Sequence, residues 1–248
     1  MKNPKHLLVF CIAAIFSTGC KKFLDYQPKG TIDGDQLNTA ENVEKMVIAA
    51  YASLGNDHWT VPYEQMWMYG DSRTDDSYKG GGSLSDGNGY NNYQLFSYVQ
   101  PTLNDANLMW QALYAGISRT NDALRRLDMI SEQELPLKVQ RQAEMRFIRA
   151  HYYFQLKILF KHIPYFDETI SKDSLPLVSN VLYTDAELWD KITDEFRFAV
   201  AHLPETQADA GRPTKWAAEA YLAKVLLYQA YEQNDQNEVV NINTDKLK

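Results

Sequence analysis

Apolar residues recur three or four positions apart in five stretches of the chain, and after the first stretch that period disappears from Asn56 to Asn104. Val43, Met46, Val47, Ala50, Tyr51 and Leu54 make the first stripe. Such spacing places side chains on one face of a helix. Thr39 stands where an N-cap belongs and Gly55 where a helix stops. Trp110, Leu113, Tyr114, Ile117, Leu124 and Leu127 form the second stripe. Val139 to Phe160 forms a longer third, closed by "FKHIP" with Pro164 beyond it. Thr184 and Glu187 spell a capping box ahead of Leu188, Ile192, Phe196, Ala199 and Leu203, with Pro204 as terminator. Thr214 opens the last helix, carrying Trp216, Ala217, Ala220, Val225 and Leu226.

Two of these helices repeat. "AEMRFIRAHYYFQ" from Ala143 overlays "AAEAYLAKVLLYQ" from Ala217 at a shift of 74 residues. Ala143 falls on Ala217, Phe147 on Tyr221, Ile148 on Leu222 and Gln155 on Gln229, and the preceding helices match loosely with Ile117 on Ile192. Paired helices with small residues at contacts and aromatic ones in the gaps are the pattern of tetratricopeptide-type hairpins. The expected fold class is all-α, two such hairpins with long irregular loops, stacked as a scaffold.

The aperiodic stretch is long for a loop, and loops of that length are functional or disordered. Within it, "KGGGSLSDGNGYNNY" from Lys79 to Tyr93 predicts a flexible turn-forming segment without a helix. Trp67 and Tyr69, flanked by Met66 and Met68, predict packing into the fold. Tyr78, Tyr90, Asn91, Asn92 and Tyr93 flank the glycines and predict exposure.

The N-terminus carries a different signal. Lys2, Lys5 and His6 precede an apolar run from Leu7 to Phe16, too short to span a bilayer, which takes ~20 residues. A basic start, a short apolar core and small residues before a cut site describe a secretory signal. Here Ser17, Thr18 and Gly19 lead directly into Cys20, which resembles a bacterial lipobox with Ser17 in place of the usual aliphatic residue. The only other cysteine, Cys11, lies inside the signal. Cleavage leaves Cys20 alone at the new N-terminus, so the expected membrane contact is an acylated Cys20, whose several chains anchor firmly.

Charge narrows the partners. Cleavage leaves 23 basic residues against 32 acidic ones, a net charge of −9. An acidic surface argues against nucleic acid, which binds basic patches. The 16 tyrosines and 5 tryptophans supply flat amphipathic side chains suited to cores and to stacking surfaces.

Three stretches together resemble the SusD/RagB family of nutrient-binding outer-membrane lipoproteins of Bacteroidetes: "CKKFLDYQPKG", "AEMRFIRAHYYFQLKILFKHIPYF" and "GRPTKWAAEAYLAKVLLYQA". "YGDSRTDDSYKGGG" and "WQALYAGISRTNDAL" are similar to the family's segments around its first hairpin. The resemblance runs from Cys20 to about Tyr231 and implies a chain roughly double this length, so this sequence reads as the N-terminal part of the pattern. The expected organisation is a signal peptide at 1–19, an anchor and tether at 20–38, a helix with the aromatic and glycine-rich loop region at 39–105, and the helical scaffold at 106–248.

The resemblance implies a cell-surface lipoprotein of the outer membrane. It would bind glycans or other nutrients and deliver them to a TonB-dependent, SusC-like barrel transporter, without bond chemistry or cofactor. The residues agree on chemistry. No HExxH, CxxC or Ser-His-Asp arrangement is present, and His58, His151, His162 and His202 lack metal-ligand spacing. Asp71, Asp75 and Asp76 lack the alternation of a calcium loop, and adjacent carboxylates do not make the separated pair of a glycosidase.

Sugars present C–H faces that stack on aromatic planes, while Asn, Asp and Arg meet their hydroxyls. Aromatic residues crowd the loop region: Trp59, Tyr63, Trp67, Tyr69, Tyr78, Tyr90, Tyr93 and Tyr98. The candidate ligand-binding residues are Trp59, Asp71, Arg73, Asp76, Tyr78, Tyr90, Asn91, Asn92 and Tyr93. Two alternatives differ in class: a helical-repeat scaffold binding only a protein partner, and a lipid-anchored glycan hydrolase. For the anchor, Cys20→Ala should release the protein from outer-membrane fractions, and retention of that variant would contradict acylation at Cys20.

Overall fold

The computed structural model describes residues 37–55, 66–100, 102 and 104–248. Cys20, Trp59 and Tyr63 therefore lie outside the described residues. Seven α-helices are described, and the four longest stack in chain order. They are α1 (Ala40–Tyr51), α2 (Met66–Tyr69), α3 (Asn88–Gln94), α4 (Asn104–Met129), α5 (Lys138–Phe160), α6 (Asp185–His202) and α7 (Lys215–Ala230).

The caps read from the sequence are formed. Thr39 and Thr214 accept from Asn42 N–H and Ala217 N–H, and Thr184 with Glu187 closes both arms of the capping box. Each cap satisfies backbone donors that the first turn leaves without a helical partner.

Ring contacts give the packing directions. Trp110 meets Phe160 (centroids 5.0 Å apart) and Tyr114 meets Tyr153 (6.5 Å), so α4 and α5 run antiparallel. Phe154 with Trp189, and Phe147 with Phe196, do the same for α5 and α6. Gly116 lies where the Tyr152 ring of α5 presses directly on α4. A Cβ there would lie 2.3 Å from the Tyr152 ring. The 74-residue repeat appears in space: Phe147 touches Tyr221 at 5.3 Å and Phe154 touches Tyr228 at 5.1 Å. Equivalent positions of successive hairpins are neighbours, as in stacked repeats.

Two buried polar clusters on α5 tie these helices together. The fully buried Glu144 carboxylate accepts from Arg141 (2.7 Å), Arg212 (2.7 Å), the Tyr51 hydroxyl (2.9 Å) and Gln140 (3.3 Å). Arg141 also pairs with Glu44 of α1 at 2.7 Å. Five residues on, Arg149 donates to both Glu195 oxygens (3.1 and 2.7 Å), to Asn121 Oδ1 (2.7 Å) and to Glu168. Burial works against the Arg149 charge, but Glu195 and Glu168 hold it firmly protonated.

Two expectations need correction, and one small element adds to the all-α scaffold. Residues 79–93 are not wholly without helix: α3 forms from Asn88, because Gly89 lets it press against α4, where a Cβ would meet the Asp105 carboxylate. The chain also carries a short antiparallel hairpin, β1 (Tyr231–Gln233) with β2 (Val239–Ile242), in register Tyr231↔Ile242 with a bulge after Glu232. On α7 Ala218 is buried against α6, and Ala230 is buried at the helix end, whereas Ala220, read from the stripe as a contact residue, is exposed and Trp216 is half-exposed. The helix is apolar or small on several sides, so its period did not fix which side meets α6.

Ala218→Leu should therefore overpack the α6–α7 contact by ~1–3 kcal/mol, while Ala220→Leu stays within ~0.5 kcal/mol. Urea denaturation of both variants checks this, and equal losses would contradict the observed packing. Burial alone would raise the Glu168 carboxyl, but Arg149 outweighs it and holds the group below its ordinary 4.5. A group depressed in the folded state contributes its stability above the unfolded value and loses it as pH falls through the folded one. Stability should drop on acidification below about 4.5, and Glu168→Gln should flatten that drop. An unchanged acid profile in the variant would count against the pair.

Candidate functional site

The segment from Met66 to Gln100 is built around two aromatic pairs. Trp67 and Tyr90 lie 5.3 Å apart at 54°, and Tyr69 meets Tyr93 edge-on at 5.0 Å. These pairs join α2 to α3 and use the energy of offset aromatic packing. Burial raises the Tyr69 hydroxyl well above its ordinary value, so it stays protonated at any physiological pH. Trp67 and Tyr69 are packed as their methionine neighbours predict.

A turn follows α2. Arg73 N–H and Thr74 N–H both donate to Gly70 O at 3.0 Å, and Ser77 N–H closes back on Asp71 O at 3.0 Å. The Thr74 hydroxyl reaches Asp76 Oδ2 at 3.1 Å. Asp71 and Asp76 are exposed at this turn. Among the described residues no group of three or more His, Cys, Asp or Glu side chains could hold a metal ion.

Lys79 organises the glycine-rich segment. Its ammonium donates to three backbone carbonyls: Gly80 (3.0 Å), Ser83 (2.8 Å) and Asp86 (2.5 Å). An ammonium has three N–H donors, so its charge is committed to folding residues 79–86. Asp86 closes the same segment by accepting from Gly82 N–H at 2.9 Å. Lys79 N–H donates to Gln94 Oε1 at 3.3 Å, which fastens the segment beside α3.

This geometry separates the candidate residues into two groups. Asn91, Asn92 and Tyr93 are buried, so the exposure expected of them is not found. The helix turns them inward, where Tyr93 packs on Tyr69, and Tyr90 is half-buried against Trp67. Tyr78 does face solvent, at 64% exposure. Arg73 lies with its guanidinium 4.1 Å from the Phe96 ring centroid and 5.8 Å from that of Tyr93. Such cation–π contacts add ~0.5–1 kcal/mol at exposed sites.

Beyond α3 the structure exposes residues that the loop's aromatic count did not rank first. Phe96 is 64% and Tyr98 is 80% exposed, and Leu95 is exposed between α3 and Phe96. Phe96 and Tyr98 both hold positive φ, +50° and +51°. Bulky residues avoid that region, and strain of this kind gathers where a chain binds something. The signal for them was the run "LFSYV" just after a polar helix, too short to show a period. Chemically, the segment exposes the rings of Tyr78, Phe96 and Tyr98, with the Arg73 guanidinium over Phe96 and the Asp71 and Asp76 carboxylates exposed on the turn after α2.

A family model described as starch-binding and associating with the outer membrane matches residues 22–227. A "SusD-like protein" of Bacteroides ovatus is 28% identical over 235 residues, covering 91% of this chain and 39% of its own length. "SusD-like protein P2" of Formosa agariphila is 33% identical over 131 residues, covering 51% of this chain and 25% of its own. Among solved structures, a "laminarin binding SusD-like protein" superposes with a TM-score of 0.66 at 25% identity, over 77% of this chain and 41% of that one. The fold is also shared with surface glycan-binding protein A of Bacteroides thetaiotaomicron in complex with laminarihexaose, with a TM-score of 0.64 at 23% identity, over 77% of this chain and 39% of that one. The chain thus spans less than half the length of these relatives.

Proposed function

Because the chain belongs to the SusD-like family, we propose that it binds glycan at the outer surface of the outer membrane and hands it to a TonB-dependent, SusC-like barrel transporter. In this reading residues 1–19 are a signal peptide, Cys20 carries the lipid, and residues 20–38 tether the scaffold to the membrane. The protein performs no bond chemistry. The ties of these similar proteins to laminarin and laminarihexaose support an oligosaccharide as the ligand class.

The carrying observation is the outward exposure of the Tyr78, Phe96 and Tyr98 rings in one short segment, with Arg73 lying over Phe96. Exposed aromatic planes offer stacking faces to sugar C–H groups, and Arg73, Asp71 and Asp76 supply donors and acceptors for hydroxyls. Asn91, Asn92, Tyr90 and Tyr93 then act from beneath, holding α3 and the strained Leu95–Val99 run in place. Holding the loop in one conformation before binding lowers the ordering cost of association.

Affinity gel electrophoresis in polysaccharide, laminarin included, tests this. Stacking by one aromatic is worth ~0.5–1.5 kcal/mol beyond its area. Tyr78→Ala, Phe96→Ala and Tyr98→Ala should each weaken retardation several-fold, with far-ultraviolet circular dichroism unchanged. Wild-type retardation of the triple variant would remove this surface from the site.

A further inference from the structure

Away from that surface, α4 and the connection between α5 and α6 enclose a cleft of about 450 Å³. That size falls within the ~300–1,000 Å³ of small-molecule sites. Its floor is one side of α4, where Trp110, Tyr114, Ile117 and Ser118 lead towards Arg125. Pro164, Phe166, Ile170 and Leu175 form the facing wall.

Most polar groups of the lining are engaged within the protein. The Tyr114 hydroxyl donates to Pro164 O at 2.7 Å. Asn121 donates to Phe166 O at 3.0 Å and accepts from Arg149 at 2.7 Å. Arg125 pairs with Asp122 at 2.5 Å and reaches Glu168 O at 3.3 Å. Asp167 accepts from the N–H and hydroxyl of Thr169. The same bonds, with Tyr153 bound to both Phe166 O (2.8 Å) and Phe166 N–H (2.6 Å), hold the wall off the floor.

Apart from the Ser118 hydroxyl and the second Asp167 carboxylate oxygen, what remains for an occupant is apolar surface and aromatic planes. Trp110 and Tyr114 stand 4.7 Å apart at 49°, and Phe166 meets Tyr114 edge-on at 5.6 Å. A sugar would leave most of its hydroxyls without partners here, and unpaired buried polar groups are costly. We propose that this cleft is a binding site for an uncharged, ring-bearing apolar small molecule, its polar substituents lying at the mouth by Ser118 and Arg125. The connection that supplies the wall also exposes Leu177, Val181 and Leu182 further along the chain.

The uncharged fused-ring fluorophore N-phenyl-1-naphthylamine, titrated into the purified chain, tests the site. Saturable one-to-one enhancement is expected. Ser118→Trp, at an exposed position, should plug the mouth, and Leu175→Arg should charge the wall. Each should weaken the probe by at least about tenfold, equal to 1.4 kcal/mol, with unchanged urea midpoints. The Tyr78→Ala, Phe96→Ala, Tyr98→Ala triple variant should bind it as wild type does, whatever that variant does to glycan. No saturable binding to wild type, full binding by both cleft variants, or loss in the triple variant would each overturn the proposal.

Discussion

A guanidinium taken out of water must find acceptors for its donors, and Arg149 finds them on three separate parts of the chain. Glu195 on α6 receives it bidentately, Asn121 on α4 takes one amino group, and Glu168 in the α5–α6 connection completes the set. Removing one partner of such a buried cluster leaves an uncompensated charge, at ~3–5 kcal/mol. The cluster therefore admits one arrangement of α4, α5, α6 and the connection. Glu144, one and a half turns earlier on α5, imposes the same demand with the opposite sign. It draws in Tyr51 of α1 and Arg212 of the α6–α7 loop. Together the two buried charges set the positions of elements that apolar packing alone would allow to slide.

The loop surface depends on that rigidity. α3 is held to α4 by the close approach at Gly89 and to α2 by two aromatic pairs. Lys79 meanwhile spends its charge on folding the glycine-rich segment. What is left facing outward is a strained aromatic run on a fixed base.

The helices were legible because their signals are local. Caps, terminators and three-to-four spacing lie within a few residues of one another, and the 74-residue repeat reappears as touching rings, Phe147 on Tyr221. The charge clusters were not legible: Arg149 and Glu195 stand 46 positions apart, and on a helix either one reads as a solvated side chain. The phase of α7 was lost for a different reason, since its small and apolar residues occupy several faces and Ala218 and Ala220 look alike in sequence. In the loop region, the exposure of Tyr78 was legible from its glycine neighbours. Asn91, Asn92 and Tyr93 were misjudged because polar residues beside glycines suggest a loop, while tertiary contact made them the inner face of a short helix.

Nuclear magnetic resonance mapping of isotope-labelled chain titrated with laminarihexaose tests the functional account most directly. The account predicts amide shift changes concentrated in residues 71–79 and 94–99, with the Arg149 and Glu144 clusters undisturbed. Changes centred on the α4 cleft, with the loop amides unmoved, would contradict it.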